Sequence, residues 1–175
     1  MNQLTEALHN ISGAQHQYEV FSGANTHTPY LADIRQKYQR KLFDTLDEVL
    51  SRCDLRDGMT VSFHHAFREG DKVINYVMAR LAEKGLRGLT LASSSLMTCN
   101  TPLIEHIKHG VISKIYTSGM RGELADAISH GLMEEPVQIH SHGGRVNLIE
   151  KGEINIDVAF LAVSCCCLLY TSPSP

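Results

Sequence analysis

The chain has 175 residues, 43% of them hydrophobic and 20% charged, with 16 Lys and Arg against 19 Asp and Glu and a net charge of −3. That length is enough to bury a core in one domain, or in one domain with an added arm, and the apolar content excludes intrinsic disorder. The charge balance excludes a nucleic-acid footprint, which needs clustered Lys and Arg, and no apolar run approaches the roughly 20 residues that span a bilayer.

The first residues, Met1-Asn2-Gln3-Leu4-Thr5-Glu6, lack a basic segment followed by an apolar one, so they do not read as a secretory signal. A soluble, cytoplasmic chain with neither a nucleic-acid nor a membrane partner is expected. Residues 1–34 show no sustained period and contain the loop-like run Ser22-Gly23-Ala24-Asn25-Thr26. They read as an irregular arm with a short helix around Leu4–Asn10. From Arg35, Tyr38, Leu42, Leu46, Val49, Leu50 and Cys53 recur at helical spacing between charged residues. This predicts an amphipathic helix closed by Arg56-Asp57-Gly58.

Strands and helices then alternate. Met59–Phe63 is short and β-branched, a strand by propensity, and leads into the polar run His64-His65-Ala66-Phe67-Arg68-Glu69-Gly70. Asp71 is placed to cap a helix with Val73, Ile74, Val77, Met78 and Leu81 on one face, ended by Gly85. Leu89–Ala92 is the next strand, followed by Ser93-Ser94-Ser95. A short helix starts near Thr101-Pro102, with Pro in the first turn, and stops at Gly110. Val111–Thr117 predicts a third strand, followed by the run Ser118-Gly119-Met120-Arg121-Gly122. A helix bearing Leu124, Ile128 and Leu132 comes next. Val137–His140 is a fourth strand, leading into a loop at Ser141-His142-Gly143-Gly144-Arg145. Val158–Val163 is almost unbroken apolar, the mark of a strand covered on both faces. Short loops between alternating elements argue for an α/β fold around an open, mostly parallel sheet with flanking helices.

Five cysteines without regular spacing make neither a disulfide framework nor a zinc motif. Cys165, Cys166 and Cys167 adjoin the C-terminal stretch and carry no catalytic reading. There is no GxGxxG after a strand, no P-loop, no GxSxG elbow and no HExxH. Three polar runs remain, each following a predicted strand: His64–Arg68, Ser93–Ser95 and Ser141–Arg145, with Ser118–Gly122 a fourth. In an open parallel sheet the loops after the strand C-termini converge on one edge, where ligands bind. Gly143 and Gly144 allow close backbone approach and offer N–H groups to an anion. Arg68, Arg121 and Arg145 suit carboxylates by paired hydrogen bonds, a composition fitted to a small polyanionic acid. Plainer readings stand beside these. His64 and His65 can be ordinary polar residues at a strand end, the serines a helix cap, and the two glycines a turn. His106 and His109, flanked by Glu105 and Lys108, read as a solvated helix surface. A metal site from His140 and His142 with Cys99 or His64 is disfavoured, because no spacing fixes a carboxylate nearby, and no metal is expected.

Taken together, five stretches resemble the alpha chain of bacterial citrate lyase, its citrate CoA-transferase subunit. They are Asp57–Arg68, Leu89–Ser95, Ile115–Gly122, Glu135–Val146 and Ile154–Leu161. The likeness runs from about Leu42 to Cys166. It implies a CoA-transferase-like (Rossmann-like) fold over 35–166. Family members continue past paired cysteines into a Gly/Asn-rich loop and a second domain, whereas this sequence leaves that pattern near Cys166–Cys167. Residues 167–175 are therefore expected to be a non-native tail, and the chain a fragment with its α/β domain incomplete at the C-terminus.

The resemblance also implies a reaction, acetyl-[acyl carrier protein] plus citrate giving citryl-[acyl carrier protein] plus acetate. The thiol would be that of a phosphoribosyl-dephospho-CoA group on the gamma chain. The beta chain would then cleave the citryl thioester to oxaloacetate and the acetyl form. No cofactor would be bound by this chain itself. From loop position, His64 and His65 are expected at the thioester carbonyl, as catalytic groups. Arg68, Ser94, Arg121, His142, Gly143, Gly144 and Arg145 are expected to bind substrate, with Arg68 and Arg145 on citrate carboxylates and Gly143-Gly144 along the carrier-arm channel. The alternatives are a metabolite-binding or sugar-phosphate-handling α/β domain of the same fold, or an inert fragment.

Overall fold

A computed structural model describes residues 43–64 and 72–161, all within one compact unit. The predicted arm over 1–34, the start of the first amphipathic helix, residues 65–71 and everything beyond 161 lie outside the described residues. So do His65, Arg68 and Asp71.

Helix α1 spans Leu46–Arg52. Thr45 caps it by accepting from the Glu48 N–H at 3.3 Å, with Asp47 and Glu48 in the first turn and Arg52 in the last, as the helix dipole favours. Strand β1 is Thr60–His64. Helix α2, Val73–Glu83, buries Ile74, Val77, Met78 and Leu81, but Val73 stays 41% exposed. Its cap position falls on Lys72, one residue after the Asp71 expected from sequence, and no side chain closes it. Strand β2, Leu89–Ser93, leads to a 3-10 turn, Thr98–Asn100, and to helix α3, Leu103–Lys108, with Pro102 at the cap position. Strand β3 is Ile112–Thr117 and helix α4 is Glu123–Ser129, so Leu132 falls beyond the helix expected to carry it. Strand β4 is reduced to Gln138–Ile139. Helix α5, His142–Glu150, and strand β5, Val158–Leu161, complete the described chain.

The five strands form one parallel sheet in the order β4-β3-β2-β1-β5. The α/β class with an open parallel sheet is as the sequence predicts. Register divides the side chains between two faces. Val61, Leu91 and Ile115 align on one face, and Ser62, Ala92 and Tyr116 on the other. The first face is the core, where Val61, Phe63, Leu91 and Ile115 pack with α1 through Leu50 and α2 through Ile74, Val77, Met78 and Leu81. Helix α3 joins it through Leu103 and Ile107, and α4 through Leu124. The second face carries α5, whose Arg145 reaches Ser62 and Ala92. The chain steps outward from β1 to β4, then crosses back through α5 to lay β5 on the other side of β1.

Two expectations are corrected here. Ser141–Arg145 is not a loop: Ser141 caps α5, its Oγ accepting from the Gly144 N–H at 2.9 Å, and Gly143-Gly144 form the first helical turn. Strand β5 is not covered on both faces. Val158 and Phe160 are half-buried while Ala159 and Leu161 are exposed, because an edge position leaves the α5-side residues uncovered. Phe160 instead stacks on Phe63, with ring centroids 5.2 Å apart.

Candidate functional site

The strand order reverses between β1 and β5, and the C-terminal ends of the strands beside that reversal are where an α/β sheet leaves room for a ligand. Beyond the last paired residues the sheet edge is still tied together by its backbone. The Ser94 N–H donates to Phe63 O at 3.1 Å, the Ser118 N–H to Ser94 O at 3.1 Å and the His140 N–H to Thr117 O at 3.0 Å. Side chains alternate along these segments, so the row following Ser62, Ala92, Tyr116 and Gln138 is His64, Ser94, Ser118 and His140. That row stands at the C-terminal edge, with Ser94 and Ser118 at bends just past their strands. His140 is also seated against the start of α5, since a Cβ added at Gly144 would meet the His140 Cβ at 3.4 Å and Ser141 Oγ at 3.1 Å. Glycine at 144 is what lets the helix begin this close to the strand end. Tyr116 lies near the His140 ring, with centroids 6.4 Å apart.

Arg145 comes up from the first turn of α5 and is 8% exposed. Its Nη2 donates to Ser62 Oγ at 2.8 Å and to Ala92 O at 3.1 Å. No carboxylate among the described residues pairs with it, and burial pushes the guanidinium down from its ordinary value. Its Nη1 is buried without a hydrogen-bond partner, as are Ser118 Oγ and His140 Nε2, and these are the three such side-chain atoms among the described residues. An unpaired buried polar atom costs about 1–3 kcal/mol, so finding all three beside one sheet edge marks that edge as built for something other than stability.

The sequence-predicted residues sort as follows. His64 is the last residue of β1, exposed and in register with Leu161. Ser94 is 1% exposed and links β1 to β3 through its backbone. Arg121 is exposed, its N–H donating to Leu96 O at 3.1 Å. His142 and Gly143 are exposed at the start of α5. Arg145 is held in the sheet, so only one edge of its guanidinium is open to a ligand, where the sequence predicts a free two-pronged clamp. His65 and Arg68 lie outside the described residues. On α3, His106 is half-buried and its burial holds it below the usual histidine value, which corrects the fully solvated reading; His109 is exposed. No three His, Cys, Asp or Glu side chains among the described residues are grouped to hold a metal ion. The sequence gives Ser62 no role and offers His140 only as a disfavoured metal ligand. The signal for both was the two-residue alternation from Tyr116 and Gln138, legible once strand pairing is known.

Chemically, the edge offers a fixed cation, a hydroxyl, an imidazole and the N-terminal turn of a nine-residue helix. All of these favour an anion with acceptor oxygens. Comparison with known proteins gives the family. A family model described as "Citrate lyase, alpha subunit" matches residues 39–171. Citrate lyase alpha chains from Klebsiella pneumoniae and Haemophilus influenzae are 62% and 61% identical over 83% and 75% of this chain. The one from Escherichia coli is 59% identical over 75% of it. The chain spans 29%, 26% and 27% of those relatives' own lengths. A solved structure of a candidate alpha subunit of citrate lyase from Streptococcus mutans, in complex with citrate, superposes with a TM-score of 0.67 at 49% identity. It covers 69% of this chain and 24% of that one. A match of the family model over well more than half the residues, on the α/β sheet just described, means that this chain belongs to the citrate lyase alpha subunit family.

Proposed function

We propose that the chain contributes to citrate CoA-transfer within citrate lyase, exchanging acetyl for citryl on the thioester of an acyl carrier protein. The observation that carries this reading is the family match over residues 39–171. The Streptococcus mutans relative in complex with citrate supports it, since a tricarboxylate suits an edge of unpaired donors around a buried cation. A citrate carboxylate oxygen attacks the acetyl thioester carbon, and the thiolate leaves with the C–S electron pair, giving an acetyl–citryl anhydride. The thiolate then attacks the citryl carbonyl of that anhydride. Citryl thioester forms and acetate departs, so atoms and charge balance without an external oxidant or reductant. The thiol is that of a phosphoribosyl-dephospho-CoA group on the gamma chain, and the beta chain takes the citryl thioester onward. The chain's own part is to stabilise the developing oxyanion, where one donor is worth about 3 kcal/mol, and to offset citrate's negative charge. His64, with His65 beyond it, is assigned to the reacting carbonyl, and Arg68 and Arg145 to the carboxylates.

The test is incubation of the full-length chain with acetylated carrier protein and isotope-labelled citrate. Label on the carrier, with one acetate released per citryl group, is the expected result. Citrate binding without transfer of label would leave a metabolite-binding α/β domain, and absence of both would overturn the reading.

A further inference from the structure

We propose that Ser118, His140 and the open edge of Arg145 form one subsite that holds a spectator carboxylate of the tricarboxylic substrate, a refinement that rests on the function proposed above. Three observations lead there. The unpartnered buried atoms are Ser118 Oγ and Arg145 Nη1, which can donate, and His140 Nε2, which donates when both ring nitrogens carry hydrogen, since Nδ1 already faces Ser141 O at 3.3 Å; a carboxylate supplies only acceptors. Their placement is compact. Ser118 and His140 follow paired positions on neighbouring strands, about 4.8 Å apart in such a sheet. Arg145 grips Ala92, two residues below Ser94 and on the same face, about 6.6 Å further down the strand. Finally, His140 abuts the first turn of α5, so the positive end of a nine-residue helix lies against the same group.

The bound carboxylate is assigned as spectator because of the rigidity and charge around it. Arg145 is anchored through Nη2 to Ser62 and Ala92 and cannot follow a moving oxygen. A carboxylate neutralised by a guanidinium and two further donors is also a poor nucleophile. The attacking carboxylate therefore belongs elsewhere on the edge, and the subsite's work is to choose a three-carboxylate acid over a two-carboxylate one.

The experiment compares citrate with a dicarboxylate lacking one of its carboxylates, 3-hydroxyglutarate or 2-hydroxy-2-methylsuccinate, by calorimetric titration of the full-length chain. Wild type is expected to prefer citrate over one of the two by at least about tenfold, a margin consistent with hydrogen bonds to a charged group. Ser118→Ala/His140→Gln leaves the Arg145 anchor in place. It is expected to lose that preference while keeping wild-type affinity for the same dicarboxylate. Equal weakening of both ligands, or an unchanged preference, would overturn the subsite and leave the transferase reading standing. Failure of wild type to bind citrate would overturn both. An unchanged Tm of the unliganded double variant separates a lost ligand contact from a lost fold. Retention of the citrate preference in a variant with a lowered Tm would equally count against the subsite.

Discussion

Arg145 brings a positive charge into the sheet with a hydroxyl and a carbonyl for company and no carboxylate among the described residues. Removing a partner from such a group is worse than removing the group, because the stranded charge keeps its desolvation cost. Ser62→Ala should therefore lower unfolding stability by about 1–2 kcal/mol, and Arg145→Met by less. The double variant should be no less stable than Arg145→Met alone. Urea denaturation of the four proteins measures this, and an additive double variant would show that the two residues do not couple. Gly122 is constrained differently. It caps α4 at φ +71, and a Cβ there would meet Thr98 Cγ2 at 2.9 Å and Thr98 Cα at 3.1 Å. Gly122→Ala should cost about 1–3 kcal/mol, and Thr98→Ala should recover only part of it, since the backbone contact remains. Identity was legible in sequence at both sites, where an arginine and a glycine stood out after a strand. The partner was not, because Ser62 lies 83 positions from Arg145 and only strand pairing brings them together.

Among the elements, α1 and α2 are joined by an ion pair that neither amphipathic pattern reveals. Arg80 Nε donates to Asp47 Oδ1 at 3.2 Å and Nη2 bonds the other carboxylate oxygen. The Arg80 hydrogen bond, with its charge, holds the Asp47 carboxyl below the usual aspartate range. A carboxyl whose folded-state pKa is depressed stabilises the fold above its unfolded value of about 3.9 and loses that contribution as the pH falls through the folded value. Asp47→Asn should thus be less stable than wild type at neutral pH, with the gap closing below about pH 4. The gap should also shrink in high salt, because both groups are partly exposed. Thermal melts across pH and ionic strength read this directly. The core face of α2 was legible from spacing, and Leu81→Ala there should cost about 2–5 kcal/mol in the same melts. The start of α5 reads as a loop in sequence because Ser141-His142-Gly143-Gly144 combines a capping serine with two poor helix formers. The local preference for a turn is overridden once Ser141 Oγ takes the Gly144 N–H and Arg145 is drawn into the sheet.

For the molecule as a whole, the order β4-β3-β2-β1-β5 puts the reversal of the sheet beside β1, and His64 ends that strand. His64 is exposed and sits outside the packed core, and His64→Ala should lower kcat for citrate transfer by at least about tenfold. Transfer kinetics on the full-length chain decide it, and an unchanged kcat would remove His64 from the reacting carbonyl. Among the described residues no helix is long and apolar enough to cross a membrane.

By itself the sequence determined the alternation of strands and helices, the buried stripes of α2 and the core strands, and the family, since these depend on local periodicity and residue type. Tertiary structure decided which strand borders which, that α5 alone among the described helices covers the second face, and that Ser118, His140 and Arg145 share one edge. Those are long-range facts. They follow from how a parallel sheet closes its hydrogen bonds between segments tens of residues apart, and no local pattern encodes that pairing.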